Sequence, residues 1–72
     1  MKEWENRMPE VAALFGVQMG QEFQLAVAGE SVRYKCRFDV QGMYIWDEYW
    51  HEWEYDHDSL IVDLLTGSAC IE

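Results

Sequence analysis

Positive charge is missing from the second half of this chain. Residues 38–72 contain nine Asp or Glu and no Lys or Arg, whereas residues 1–37 contain five acids and five bases. The formal net charge of −9 therefore comes entirely from the second half. A surface with this excess of negative charge repels nucleic acid and membranes and attracts basic surfaces. We expect a basic protein surface as the partner, and no direct binding to nucleic acid or membrane.

Long hydrophobic runs are missing as well. No stretch of about 18 apolar residues is present to span a bilayer, and residues 1–10 lack the apolar centre of a signal peptide. Cysteine is scarce, with only Cys36 and Cys70. In a chain that is not exported, these two are expected to be buried thiols rather than a disulfide. The expected location is the cytoplasm.

What the chain has in quantity is apolar and aromatic residues. Half of its 72 residues are hydrophobic and 15% are aromatic, which is too apolar for a disordered acidic tail. We therefore expect one folded domain over residues 1–72. Its stability should be modest, because a chain of this size buries only about 60% of the surface that it exposes when unfolded.

Two segments have the pattern of short helices. Residues 8–15 place Pro9 at a first helical position and end before Gly16, which suits a C-terminal cap. Trp4 extends the apolar stripe of this helix if residues 2–7 form another turn. Residues 59–66 carry an apolar face of Leu and Ile, with Asp58 or Ser59 as the expected N-terminal cap.

Four segments between these helices have the pattern of strands. Apolar and polar side chains alternate along residues 22–27 and most clearly along 32–38, and residues 43–46 and 51–56 complete a meander with short connections. Residues 68–72 suit a short edge strand. We therefore predict an α+β fold, an antiparallel sheet of four to five strands with two short helices packed on one face.

Acidic and aromatic residues alternate along residues 47–58, DEYWHEWEYDHD, which we call the acidic–aromatic run. On a strand, the carboxylates of Glu52, Glu54 and Asp56 would form one row with a spacing of roughly 6.6–7 Å. Such a row resembles a phosphate backbone in charge, so it suits a basic cleft that normally binds nucleic acid. The candidate partner-binding residues are Asp47, Glu48, Tyr49, Trp50, Glu52, Glu54, Asp56 and Asp58.

The alternative interpretation of the run is a solvated strand face above a core formed by Trp46, Trp53 and Tyr55. The absence of Lys and Arg after Arg37 favours the binding interpretation, because ordinary solvated faces mix both signs of charge.

Three bases share one face of the strand predicted over residues 32–38, namely Arg33, Lys35 and Arg37. They either pair with the acidic strand, at about 0.2–1 kcal/mol for each cross-strand pair, or contact nucleic acid. We expect pairing, since three bases on a protein of net charge −9 bind nucleic acid poorly.

The residues that could carry chemistry do not form a recognisable signature. His51 and His57 lie among carboxylates, but their spacing matches no metal-binding motif. Cys36 points toward the expected core, and neither Cys70 nor Ser59 has an evident partner for nucleophilic catalysis. We expect no catalytic residues, no metal site, no cofactor and no enzymatic activity.

The segments MPEVAALFGVQMGQEF, YKCRFDVQGMY and LIVDLLTG, over residues 8–23, 34–44 and 60–67, follow one another in an order that resembles short acidic proteins of bacteriophages and prophages of Gram-positive bacteria. This resemblance covers most of the chain and implies a phage setting, with the host cell's cytoplasm as the location. Small acidic non-enzymatic phage proteins include inhibitors of host defence, among them anti-CRISPR proteins. The resemblance therefore implies an inhibitor of a host nuclease, or alternatively a phage accessory protein that dimerises through exposed aromatics.

Overall fold

The computed structural model describes residues 5–72, so the expectation about Trp4 lies outside the described residues. Two helices and five strands follow one another along these described residues. They are α1 Met8–Leu14, β1 Phe23–Val27, β2 Arg33–Asp39, β3 Gly42–Asp47, β4 Glu52–Tyr55, α2 Leu60–Thr66 and β5 Ala69–Ile71. The predicted helices, strands and final short edge strand are confirmed, with ends that shift by at most one residue.

All five strands form one antiparallel sheet with the order β4-β3-β2-β1-β5. Strands β1 to β4 are a meander, because each pairs with the next one along the chain. Strand β5 returns after α2 to the free side of β1. The α+β fold is thus confirmed, and β4 and β5 are the two edges of the sheet.

One face of the sheet carries the hydrophobic core, and we call it the core face. Cys36 lies opposite Phe23 on one neighbouring strand and opposite Ile45 on the other, and such cross-strand partners share a face. The buried apolar side chains form one cluster: Ala12, Phe23, Leu25, Cys36, Phe38, Met43, Leu64 and Ala69. Both helices contribute to it, through Ala12 and Leu64. The packing of both helices on one sheet face stays a prediction.

The opposite face, which we call the open face, carries the bases of β2 and the aromatics of β3 and β4. Arg37 lies opposite Tyr44, and Trp46 lies opposite Trp53. Trp46 and Trp53 are half-buried there, and Tyr55 is exposed. The alternative interpretation, which placed Trp46, Trp53 and Tyr55 in a core, is therefore wrong, because these rings lie on the face opposite the core.

The tight β2–β3 turn explains this outcome. Asp39 lies opposite Gly42, which has a φ of 131° that side chains rarely tolerate. This turn places Phe38 opposite Met43, so Met43 enters the core. Because side chains alternate with a period of two, the next aromatic, Tyr44, must then point to the open face.

Within residues 5–72, neither helix has the length and hydropathy needed to span a bilayer.

Candidate protein-binding site

The β3–β4 turn presents two aromatic rings at the start of the acidic–aromatic run. The Asp47 carboxylate accepts hydrogen bonds from the backbone N–H groups of Tyr49, at 2.8 Å, and Trp50, at 2.9 Å. This side chain therefore holds the turn. Tyr49 is 81% exposed and Trp50 66% exposed, and their rings meet edge to face at 4.9 Å. Rings that are packed on each other but otherwise solvated are suited to contact a partner.

Strand β4 carries its acids on the core face. Glu54 lies opposite Ile45, and Glu52 lies opposite Asp47, so the two glutamates project from the same face as the core. Both are exposed. The predicted alternation of acids and aromatics along β4 is confirmed. The solvated-face interpretation placed the aromatics toward the core, whereas in the structure the glutamates lie on the core face and the aromatics on the open face.

The carboxylates at this edge repel one another. Desolvation raises the pKa of Glu54, and the neighbouring carboxylates of Asp47 and Glu52 raise it further. A cation brought beside Glu54 would relieve this repulsion.

Asp56 does not belong to the predicted exposed row with Glu52 and Glu54, because only 5% of its surface is exposed. Its carboxylate oxygens accept hydrogen bonds from the backbone N–H groups of Leu60, at 2.8 Å, and Ile61, at 2.9 Å. These donors belong to the first turn of α2, whose N–H groups lack helical partners. The expected caps were Asp58 or Ser59. Ser59 occupies the N-cap position, but its side chain makes no capping bond. Asp56 satisfies these donors instead.

The remaining acids of the run, Glu48 and Asp58, are exposed. Of the eight candidate partner-binding residues, the structure brings Asp47, Glu52 and Glu54 together on the core face of β3 and β4. Tyr49 and Trp50 lie in the adjoining turn. Asp58 follows β4 at its other end.

No ion pair within residues 5–72 involves an acid of the acidic–aromatic run. The ion pairs of this part of the chain are Arg7–Glu5, Arg7–Glu10, Arg33–Glu72 and Lys35–Glu22. The expected pairing of the β2 bases with the acidic strand is therefore wrong, since β3 separates β2 from β4.

Two of the three β2 bases, Lys35 and Arg37, contact aromatic rings. Lys35 Nζ lies 5.1 Å from the centre of the Trp46 ring. The Arg37 guanidinium lies 4.6 Å from the centre of the Trp53 ring and 6.0 Å from that of Tyr44. Sequence reasoning missed these cation–π contacts, because they follow from the strand register.

A cavity of about 350 Å³ lies beside Glu54 on the sheet. Its lining residues are apolar, aromatic, acidic or imidazole in character: Ile45, Leu60, Tyr34, Tyr55, Glu30, Glu54, Asp58 and His57. The Tyr34 hydroxyl donates a hydrogen bond to the Glu30 carboxylate. Apolar and aromatic walls with acidic groups match a side chain that has an aliphatic stem and a positive end.

The two cysteines are both free. Cys36 is buried, and burial together with the nearby Asp56 charge raises its pKa to about 12. Cys70 is exposed and pairs with Ala26, whose neighbours along β1 lie on the core face, so Cys70 is on the open face. The expected burial therefore holds for Cys36 and is wrong for Cys70.

His51 and His57 each contact an aromatic ring, at centroid distances of 6.2 Å to Trp46 and 5.6 Å to Tyr55. In the described part of the chain, no three His, Cys, Asp or Glu side chains are grouped so that they could hold a metal ion.

Comparison with protein-family models, with curated proteins and with solved structures finds no match to this chain.

Proposed function

We propose that this protein is a non-enzymatic phage-type inhibitor that binds a basic nucleic-acid-binding cleft of a host protein. It acts there as a nucleic-acid mimic or as a steric plug. The binding surface consists of the exposed members of the acidic–aromatic run: Glu48, Tyr49, Trp50, Glu52, Glu54 and Asp58. We call this set the acidic–aromatic surface.

One observation carries the proposal. The acids of this surface form no ion pair within residues 5–72, although three bases lie only two strands away. Negative charge that is not paired with a cation attracts a basic partner, speeds its association and makes binding sensitive to salt. The exposed rings of Tyr49 and Trp50 add apolar contact area at the same place.

The setting of the proposal rests on the sequence resemblance to acidic phage and prophage proteins. In that setting the target is a protein of host defence, a CRISPR nuclease being the main candidate, and the inhibitor works in the host cytoplasm. It needs neither a metal nor a cofactor, since occupying the cleft is enough to exclude DNA or RNA.

The test is inhibition of DNA cleavage by a guide-loaded CRISPR nuclease from a Gram-positive host. We expect inhibition that weakens as salt rises and as competing DNA is added. A Glu48→Gln/Glu52→Gln/Glu54→Gln variant should lose most of this inhibition. A Glu5→Gln/Glu10→Gln/Glu22→Gln variant, which changes the net charge equally, is the matched control and should keep it.

Two results would contradict the proposal. One is equal inhibition by the surface variant and its control, which would show that the acidic–aromatic surface is not needed for inhibition. The other is the absence of salt-sensitive binding to any nuclease tested. Circular dichroism of both variants establishes that each is folded.

A second candidate function is that of a phage accessory protein that forms a homodimer. The observation that favours it is the exposure of Tyr49 and Trp50, which two copies could bury against each other. Light scattering at micromolar concentration distinguishes the candidates. A dimer in which Trp50 is buried at the interface supports the accessory protein, and a monomer supports the inhibitor.

A further inference from the structure

Strand β4 is an edge of the sheet that is open to another strand. Among the described residues it pairs only with β3. Proteins commonly protect such edges, because unpaired backbone groups accept a further strand from another chain. This edge lies within the acidic–aromatic surface.

The hydrogen bonds show which backbone groups of β4 are free. The Asp56 N–H donates to the Met43 carbonyl at 3.0 Å, so these two residues are a hydrogen-bonded pair. Since such pairs alternate along an antiparallel ladder, Glu54 also bonds inward to β3, whereas Trp53 and Tyr55 direct their backbone groups outward. The Tyr55 carbonyl accepts the His57 N–H at 2.8 Å. The Trp53 N–H and carbonyl and the Tyr55 N–H remain for a partner.

The side chains of β4 define the partner strand. A residue placed opposite Trp53 would share the open face with its indole ring and is therefore apolar. Its two neighbours would lie beside Glu52 and Glu54 on the core face and are therefore basic, because opposite charges across strands attract.

The cavity beside Glu54 supports a long basic side chain at one of these positions. Its volume of about 350 Å³ and its lining by Tyr34, Ile45 and Leu60 suit an aliphatic stem. Three acidic residues, Glu30, Glu54 and Asp58, line the same cavity together with His57. Carboxylates suit a guanidinium group.

A second copy of this chain fits the edge poorly. Pairing of β4 with another β4 would bring Glu52 and Glu54 of one copy against the same two glutamates of the other. Like charges directly opposite each other destabilise a strand pair. The edge therefore selects a strand of different charge.

We infer that the β4 edge binds an extended segment of the partner by antiparallel strand addition, and that this segment alternates arginine or lysine with apolar residues. The inference rests on the proposed function and specifies how the basic partner is engaged. Backbone hydrogen bonds supply affinity in this mode, and alternate side chains supply specificity.

A short blocked peptide in which arginine and valine alternate tests the inference, by calorimetry and by amide chemical-shift changes in the full chain. We expect it to bind with shifts centred on Trp53 and Tyr55. A peptide of the same composition with all arginines before all valines should bind about tenfold more weakly. The alternating peptide should also bind about tenfold more weakly to a Glu52→Gln/Glu54→Gln variant than to the matched Glu5→Gln/Glu10→Gln control.

Backbone N-methylation distinguishes strand addition from charge attraction alone, because it removes a hydrogen-bond donor and keeps the charge. Methylating the valine amides, which face β4, should weaken binding about tenfold. Methylating the arginine amides, which face away, should leave it unchanged. Equal effects of the two sets overturn the inference.

The outcomes for the inference and for the proposed function are separable. If methylation of the valine amides and of the arginine amides leaves peptide binding equally unchanged, and the protein inhibits a nuclease in a salt-sensitive way, strand addition is overturned and the inhibitor function stands. If only methylation of the valine amides weakens peptide binding, and the protein inhibits no nuclease, the β4 edge stands as a docking site and the inhibitor function is overturned.

Discussion

The role of a single acidic residue in this protein depends on what its carboxylate contacts. Asp47 and Asp56 belong to the acidic–aromatic run, yet both accept backbone hydrogen bonds, Asp47 within a turn and Asp56 at the first turn of α2. Glu52 and Glu54 have the same charge and are exposed. Their carboxylates lie at the surface, whereas the Asp56 carboxylate is part of the fold.

Replacing Asp56 should therefore affect stability and not only binding. We expect Asp56→Ala to lower the free energy of unfolding by about 2 kcal/mol, because two helix N–H groups lose their acceptor. Urea unfolding measures the change. Asp58→Ala, two residues along and exposed, is the control and should change the free energy by less than about 0.5 kcal/mol. Equal losses in the two variants would contradict the capping role.

Cys36 should make stability depend on alkaline pH. Its pKa is about 12 in the folded protein, against an ordinary value of 9.0. Below pH 9 both states hold the proton. Above it, the unfolded state loses the proton first, so stability falls as the pH rises toward 12, by at most about 1.4 kcal/mol per pH unit.

The measurement is the urea midpoint between pH 8 and 11. The decrease should be smaller in Cys36→Ala and unchanged in Cys70→Ser, since Cys70 is exposed. An identical decrease in all three proteins would show that Cys36 does not cause it.

At the scale of elements, strand register decides what each side chain meets. β3 lies between the basic strand β2 and the acidic strand β4. The Arg37 guanidinium reaches across β3 to the Trp53 ring, and its Nε is buried without a hydrogen-bond partner in the described chain. Strands β2, β3 and β4 are thus joined on the open face by cation–π contacts rather than by ion pairs.

This contact should be measurable as a coupling energy. A double-mutant cycle with Arg37→Gln and Trp53→Leu should give about 0.5–2 kcal/mol of coupling in the free energy of unfolding. The cycle of Arg33→Gln with Trp53→Leu is the control and should give a value near zero, because Arg33 pairs with Glu72. Coupling of similar size in both cycles would exclude a specific Arg37–Trp53 contact.

At the scale of the whole molecule, net charge opposes folding. The excess carboxylates behind the net charge of −9 repel one another in the compact folded state. The ion pairs among the described residues are all exposed. Exposed pairs contribute only about 0–1 kcal/mol each.

Added sodium chloride should therefore stabilise this protein, because it screens the repulsion. A relief of about 1 kcal/mol corresponds to a rise in Tm of about 4–8 °C for a domain of this size. Calorimetry at low and at physiological ionic strength measures it. The Glu48→Gln/Glu52→Gln/Glu54→Gln variant should show a smaller rise, and a decrease in Tm with salt would contradict the argument.

The sequence by itself determined the local structure of this protein. Glycines and Pro9 mark the ends of elements, and period-two alternation identified the strands and the separation of acids from aromatics along β4. These features depend on neighbours along the chain, so a single sequence is enough to predict them.

Only the tertiary structure decided which side of each strand faces the core. A one-residue change of register exchanges the two faces, and the β2–β3 turn sets the register so that Met43 and Ile45 face the core. Trp46, and Trp53 opposite it on β4, therefore lie on the open face. The burial of Asp56 follows from the position of α2, whose N-terminal N–H groups needed an acceptor. Contacts between residues far apart in sequence settle such choices, and local patterns do not encode them.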